Sequence, residues 1–146
     1  MDLQFRCDCP VTSALDVLGD KWMLVIVKQM LLDGKVTFKD FMESDEAISS
    51  NILTIKLKLL QELEIVGQTR LPNNKKTKLY YLTDKGLDLT PMVVELALWS
   101  DRYLRVLNPI IRDDPEFALM RSDKVAFIQA LRRQHEAKRA SMLSPD

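Results

Sequence analysis

A chain of 146 residues has room for one domain and a short extension. Its apolar fraction of 47% suits a buried core and argues against disorder. Twenty-one cations against 21 acids give zero net charge, so no overall field steers the molecule to nucleic acid or membrane. No apolar run reaches the roughly 18 residues of a membrane span. The start, Met1-Asp2-Leu3-Gln4-Phe5-Arg6, lacks an apolar leader core. Cys7 and Cys9 lie too close together to staple a fold, which fits a reducing compartment. The expected location is the cytoplasm.

In chain order, Val11 to Leu18 reads as a short helix, with Pro10 placed where its missing N–H costs little. Gly19-Asp20 breaks it. Lys21 to Leu32 is apolar on nearly every side and predicts a buried helix, ended by Asp33-Gly34. Val36-Thr37-Phe38 reads as a short strand, and Phe38 to Glu43 as a short helix. Ser49 or Ser50 can cap a helix running from Ser50 to Glu64. Strands at Val66 to Leu71 and Thr77 to Leu82 flank a polar turn, Pro72 to Lys76, whose Asn73-Asn74 pair suits positive φ. The result is helix, helix, short strand, helix, helix, hairpin: the order of a winged helix-turn-helix.

Asp84 to Leu107 then reads as a long helical region, with Pro91 opening its main part behind a Thr90 cap or kinking it. Leu96, Trp99, Tyr103 and Leu107 make an apolar stripe along it. Asn108 to Pro115 reads as a linker. Ser122 can cap a last helix with a Val125, Ile128, Leu131 stripe and a late cluster of Arg132, Arg133, Lys138 and Arg139. The expected division is a winged helix-turn-helix domain with dimerisation helices at 1–107, then linker and C-terminal helix at 108–146. Dimer formation is the expected job of the terminal helices.

The charge is uneven. Between Ser49 and Lys85 stand Lys56, Lys58, Arg70, Lys75, Lys76, Lys78 and Lys85 against only Glu62, Glu64 and Asp84. Such a basic zone in a neutral chain suits a reader of phosphates, or an ordinary solvated face. No phosphate-cradling glycine loop is present and the one histidine, His135, is expected in solvent on a charged helix, so neither an enzyme nor a catalytic residue is predicted. Cys7, Cys9 and His135 are too few for a metal site, and no cofactor is expected.

Four fragments resemble the HxlR-type regulators, in that family's order and spacing, from about Cys7 to about Tyr103. They are Cys9-Pro10-Val11-Thr12-Ser13-Ala14-Leu15-Asp16-Val17-Leu18-Gly19-Asp20-Lys21-Trp22, then Ile48-Ser49 with Asn51, Leu53-Thr54 and Leu57-Lys58, then Tyr80 with Leu82-Thr83-Asp84-Lys85-Gly86, and Trp99. The resemblance implies a winged helix-turn-helix that dimerises through N- and C-terminal helices and regulates transcription; a repressor is the expected kind, with an activator left open. It also implies that some members sense electrophiles or oxidants through the cysteine of the Cys-Pro motif. Two departures stand out: Glu64 occupies a position where glycine commonly follows the recognition helix, and Gln68-Thr69 precede Arg70 where the wing usually carries arginine.

At about 100° per residue, the helix from Ser50 turns Leu53, Leu57, Leu60 and Leu63 to one side. Ser50, Asn51, Thr54, Lys58, Gln61 and Glu62 fall on the other. Short polar side chains at the N-terminal end reach base edges, and cations further along meet phosphates. The expected DNA contacts are Ser49, Ser50, Asn51, Thr54 and Lys58, with Asn51 foremost because Asn pairs bidentately with adenine. Ser49 is the better cap. Lys56 falls among the leucines. Ile55, on the edge of the polar face, is expected to be partly buried against the preceding helix, the alternative being contact with a thymine methyl. From the wing, Asn73, Asn74, Lys75 and Lys76 are expected to reach the minor groove or its phosphates. Cys9 sits at a helix mouth, where amide dipoles favour thiolate, with Cys7 as a resolving partner; a buried, inert thiol is the alternative. The expected partners are double-stranded DNA with a pseudo-palindromic operator, a second copy of the chain and no membrane. Two other classes stay open: a MarR-like regulator answering a small molecule, with Met23, Met30 and Met92 lining a pocket, and a winged-helix protein-interaction module without DNA affinity.

Overall fold

The computed structural model describes residues 2–144. Helix α1, Pro10–Leu18, starts with proline in its first turn and Cys9 extended as its N-cap. Asp20 then accepts from the amides of Trp22 and Met23 at 2.7 and 2.9 Å and starts α2, Met23–Leu31, two residues later than expected. Met23, Ile26, Val27, Met30 and Leu31 of α2 are all buried. Gly34, at φ +65°, ends this segment in the left-handed conformation.

Val36–Phe38 forms no strand of its own; the Val36 carbonyl instead accepts one bond, 2.8 Å, from the Tyr80 amide. Thr37 is the N-cap of α3, Phe38–Met42, in a reciprocal capping box with Asp40. Helix α4, Ser50–Glu62, is capped by the Ser49 hydroxyl, which accepts from the Ile52 amide at 3.3 Å. Leu53, Leu57 and Leu60 turn inward, and each such leucine stabilises the core by about 1.5–3 kcal/mol.

Helix α4 stops at Glu64, which adopts φ 59°. The Ile65 amide returns to the Leu60 carbonyl at 2.9 Å and the Glu64 amide to that of Gln61 at 3.0 Å, a Schellman closure. The resemblance places glycine here for this reason, and carrying a Cβ through the left-handed region costs about 1–2 kcal/mol.

Strands β1, Val66–Leu71, and β2, Asn74–Leu82, pair antiparallel, with Leu71 opposite Asn74. The turn is thus Pro72-Asn73, tighter than expected. Among the described non-glycine residues positive φ occurs at Ala47 and Glu64, so neither Asn73 nor Asn74 uses it. Gly86 in α5, Asp84–Leu87, lies where a Cβ would come within 2.3 Å of the Ile65 carbonyl oxygen, so only glycine lets this turn seat on the start of the wing. Thr83 caps α5 and Leu89 precedes α6, Thr90–Tyr103; the Thr90 hydroxyl donates to the Leu87 carbonyl instead of capping.

The expected linker is followed by a helix the sequence reading missed: α7, Pro115–Ser122, capped by Asp114. Asp123, not Ser122, caps α8, Lys124–Leu143. The inward stripe of α8 is Phe127, Leu131 and His135, while Val125 is 62% exposed. His135 is the main correction. Only 5% exposed, its Nε2 accepts from the Leu82 amide at 2.9 Å. Burial pushes its pKa down to about 4, helped by Arg139 and Lys138 and opposed by the Met30 carbonyl. Arg139 donates to the Leu82 carbonyl at 3.0 Å, so α8 satisfies both backbone groups at the last residue of the wing. Lys138 donates to the Gly34 carbonyl at 2.8 Å and Arg132 to that of Leu87 at 2.6 Å. Helix α8 is therefore a brace along the base of the winged helix, tying β2 to the end of α2.

Candidate nucleic-acid interface

Helix α4 presents the polar face expected of it. Ser50, Asn51, Thr54 and Lys58 are exposed, and the core leucines hold the opposite side. The Thr54 hydroxyl donates back to the Ser50 carbonyl at 2.8 Å, which leaves its lone pairs outward. Lys56 is excluded from this surface by a 2.6 Å ion pair with Asp20, which fixes α4 against the start of α2. The Asp20 carboxylate loses solvation there, yet bonds from Lys56 and the Met23 and Trp22 amides leave its pKa lowered. Ile55 corrects the expectation of partial burial: it is 57% exposed. That exposure favours the alternative for an apolar side chain on this face, packing against a thymine methyl.

The wing carries Asn73, Asn74, Lys75 and Lys76, all exposed. Between the Thr69–Leu79 and Leu71–Asn74 pairs, Arg70 alone lies opposite Lys75 to Lys78. This irregularity bows the basic stretch of β2 out of the ladder, a common way to re-aim side chains. Arg70 donates to the Lys75 carbonyl at 3.1 Å and so braces the bow. Lys78, one of the cations of the basic zone and exposed in the same stretch, joins the candidate contacts. Lys58, Lys75, Lys76 and Lys78 have no carboxylate partner among the described residues. Their charge remains available to phosphates.

Away from this face, Cys7 is exposed and Cys9 half-buried, both as free thiols. The Thr12 amide, the Thr12 hydroxyl and the Val11 amide, in that order, hold the Cys9 pKa below its ordinary value. Met23 and Met30 are core residues, 0% and 2% exposed, whereas Met92 is 39% exposed. No cluster of metal-ligating side chains occurs among the described residues, and no described helix is long and apolar enough to cross a membrane.

A capped two-helix unit, α3 and α4, with a polar outer face and a basic hairpin defines a winged helix-turn-helix protein. The particular family is also fixed: residues 17–108 match the HxlR-like helix-turn-helix profile, and the chain belongs to that family. It is 35% identical over 96 residues to the HTH-type transcriptional regulator YodB of Bacillus subtilis (strain 168), covering 65% of this chain and 85% of YodB. Among solved structures, the redox regulator HypR in its reduced form aligns with a TM-score of 0.60 and 31% identity, over 69% of this chain and 99% of HypR. Reduced YodB aligns with a TM-score of 0.55 and 35% identity, over 66% and 95% of the two chains. HypR is also known oxidised, and YodB diamide-treated and quinone-bound. YodB is a transcriptional regulator and HypR a redox regulator.

Proposed function

We propose that this protein is a homodimeric, sequence-specific DNA-binding regulator. Helix α4 enters the major groove, and the bowed wing meets the adjacent minor groove or its phosphates. The observation that carries the reading is the pairing of Asn51, Thr54 and Lys58 on the outer face of α4 with wing lysines that have no carboxylate partner among the described residues. Ser50, Asn73 and Asn74 supply further polar contacts, whereas Ser49 serves the helix as its cap. The operator is pseudo-palindromic, and the site of action is the cytoplasm.

The dimer reading rests on α6. Its outer face exposes Leu96, Trp99 and Tyr103 at 51%, 56% and 56%, and the stripe continues through Val106 and Leu107 at 92% and 80%. A contiguous apolar run of this kind needs a cover. A second copy, related by a two-fold axis, is the occupant that also places two α4 helices on two half-sites. Trp99→Glu buries a charge in that seam and is expected to give a monomer by light scattering, with operator affinity reduced at least roughly tenfold. A Trp99→Glu dimer with unchanged affinity would remove α6 from the interface.

Cys9 supplies the signal chemistry. A thiolate favoured by helix-mouth amides attacks the O–O bond of a peroxide, whose other oxygen leaves as water or alcohol. The sulfenic acid formed condenses with the exposed Cys7 thiol, within or between chains, to a disulfide and water. Addition to an electrophile gives a thioether on Cys9 instead. A mild oxidant such as diamide is expected to change operator affinity in the wild type and not in Cys9→Ser. Identical curves in both proteins, with and without oxidant, would rule the sensor out.

A further inference from the structure

Residues 109–146 lie beyond the family match, and the two helices they contain close a cleft against the winged helix. A cavity of about 220 Å³ opens between α2, α6, α7 and α8. Its walls are apolar: Leu32, Ala97, Phe117, Met120 and Phe127. The size lies below the roughly 300–1,000 Å³ of drug-sized sites, which restricts an occupant to about one ring. One wall is held in place, since the guanidinium groups of Arg121 and Arg105 stand over the Phe117 ring, at 4.9 and 5.6 Å from its centre. Asp101 locks both arginines, at 2.6 and 2.7 Å, so the wall is organised before anything binds.

The mouth decides the chemistry. Its cations, Lys28 and Arg112, are each held by two acids. Lys28 meets Asp33 at 3.0 Å and also Glu46, and Arg112 meets Asp114 at 2.7 Å and Glu116 at 2.9 Å. In the lining itself Asp33 and Glu116 balance Lys28 and Arg112; Glu46 and Asp114, bonded to the same two cations from outside the lining, add an excess of two negative charges. An aryl carboxylate is repelled there, and the walls offer a neutral polar ligand no hydrogen-bonding side chain. An ammonium is attracted to the mouth while its ring is taken up by Phe117 and Phe127.

We propose that this cavity is a binding site for a small single-ring aromatic cation. Ala97 shares α6 with Leu96 and Trp99, so an occupant bears on the helix that carries the dimer stripe. That consequence rests on the regulator reading; the binding itself does not.

The test is calorimetric titration of the full-length protein with benzyltrimethylammonium, beside benzyl alcohol and benzoate. The cation is expected to bind at least roughly tenfold more tightly than either control. Ala97→Phe, which fills the cavity, is expected to abolish binding. Glu116→Lys alters only the exposed rim and decides the matter if the first variant does not fold; it is expected to weaken the cation by about tenfold and to erase its advantage over benzoate. Equal affinity for all three compounds, no heat with the cation up to about 10 mM, or binding indifferent to both variants overturns the assignment. Operator affinity measured without ligand on the same samples separates the two readings: its loss with cation binding intact counts against the regulator, and the reverse against the cavity alone.

Discussion

Lys75→Ala combined with Lys76→Ala is expected to weaken binding to operator and random DNA alike, by about tenfold or more near physiological salt. Both side chains stand in the outward bow of β2 and neither is committed to a carboxylate among the described residues. Each phosphate contact releases condensed counterions, so losing two should flatten the slope of log K against log salt by about two. The ratio of operator to random affinity should change little, since phosphates carry no sequence. A slope equal to that of the wild type would take the wing off DNA.

The second large effect lies far from the DNA face. His135→Ala is expected to cost about 2–4 kcal/mol of stability, because it opens a hole under α8 and orphans the buried Leu82 amide. Acid should expose the same residue in the wild type. The folded-state pKa is about 4 against an ordinary 6.5, so the unfolded chain binds the extra proton first. Stability from His135 is fully present above about 6.5 and is lost as the pH falls from there through about 4. Thermal melts across that window should show a steeper loss in the wild type than in His135→Ala. Parallel curves would mean that His135 titrates normally and is not the buried acceptor.

Much of this architecture was legible in the sequence because short-range chemistry determined it. Pro10, Gly34 and Ser49 mark helix ends by rules that need no tertiary context, and the leucines of α4 give its inward face directly. Asn51, Thr54 and Lys58 followed by rotation about that helix. What escaped depended on partners distant in the chain. His135 looked solvated amid Arg132, Arg133, Lys138 and Arg139, yet its spacing of four from Leu131 and eight from Phe127 was a readable sign of burial. Lys56 met Asp20, a residue 36 positions away that no local pattern names. Lys78 was counted in the basic zone but not among the wing contacts, which were taken from the turn, and the bow in β2 comes from pairing. The cavity escaped altogether, since its walls come from four helices and one of them, α7, lies where no element was assigned beyond Pro115, the end of the linker.

The most direct measurement is fluorescence anisotropy of the protein against the DNA immediately upstream of its own gene, beside a shuffled fragment, at near-physiological salt. The account predicts tight binding to the native fragment alone, with Asn51→Ala losing roughly 1–3 kcal/mol on that fragment and little on the shuffled one. Equal, weak and salt-independent signals on both fragments, unmoved by Asn51→Ala, would contradict it and leave the winged helix to a protein partner.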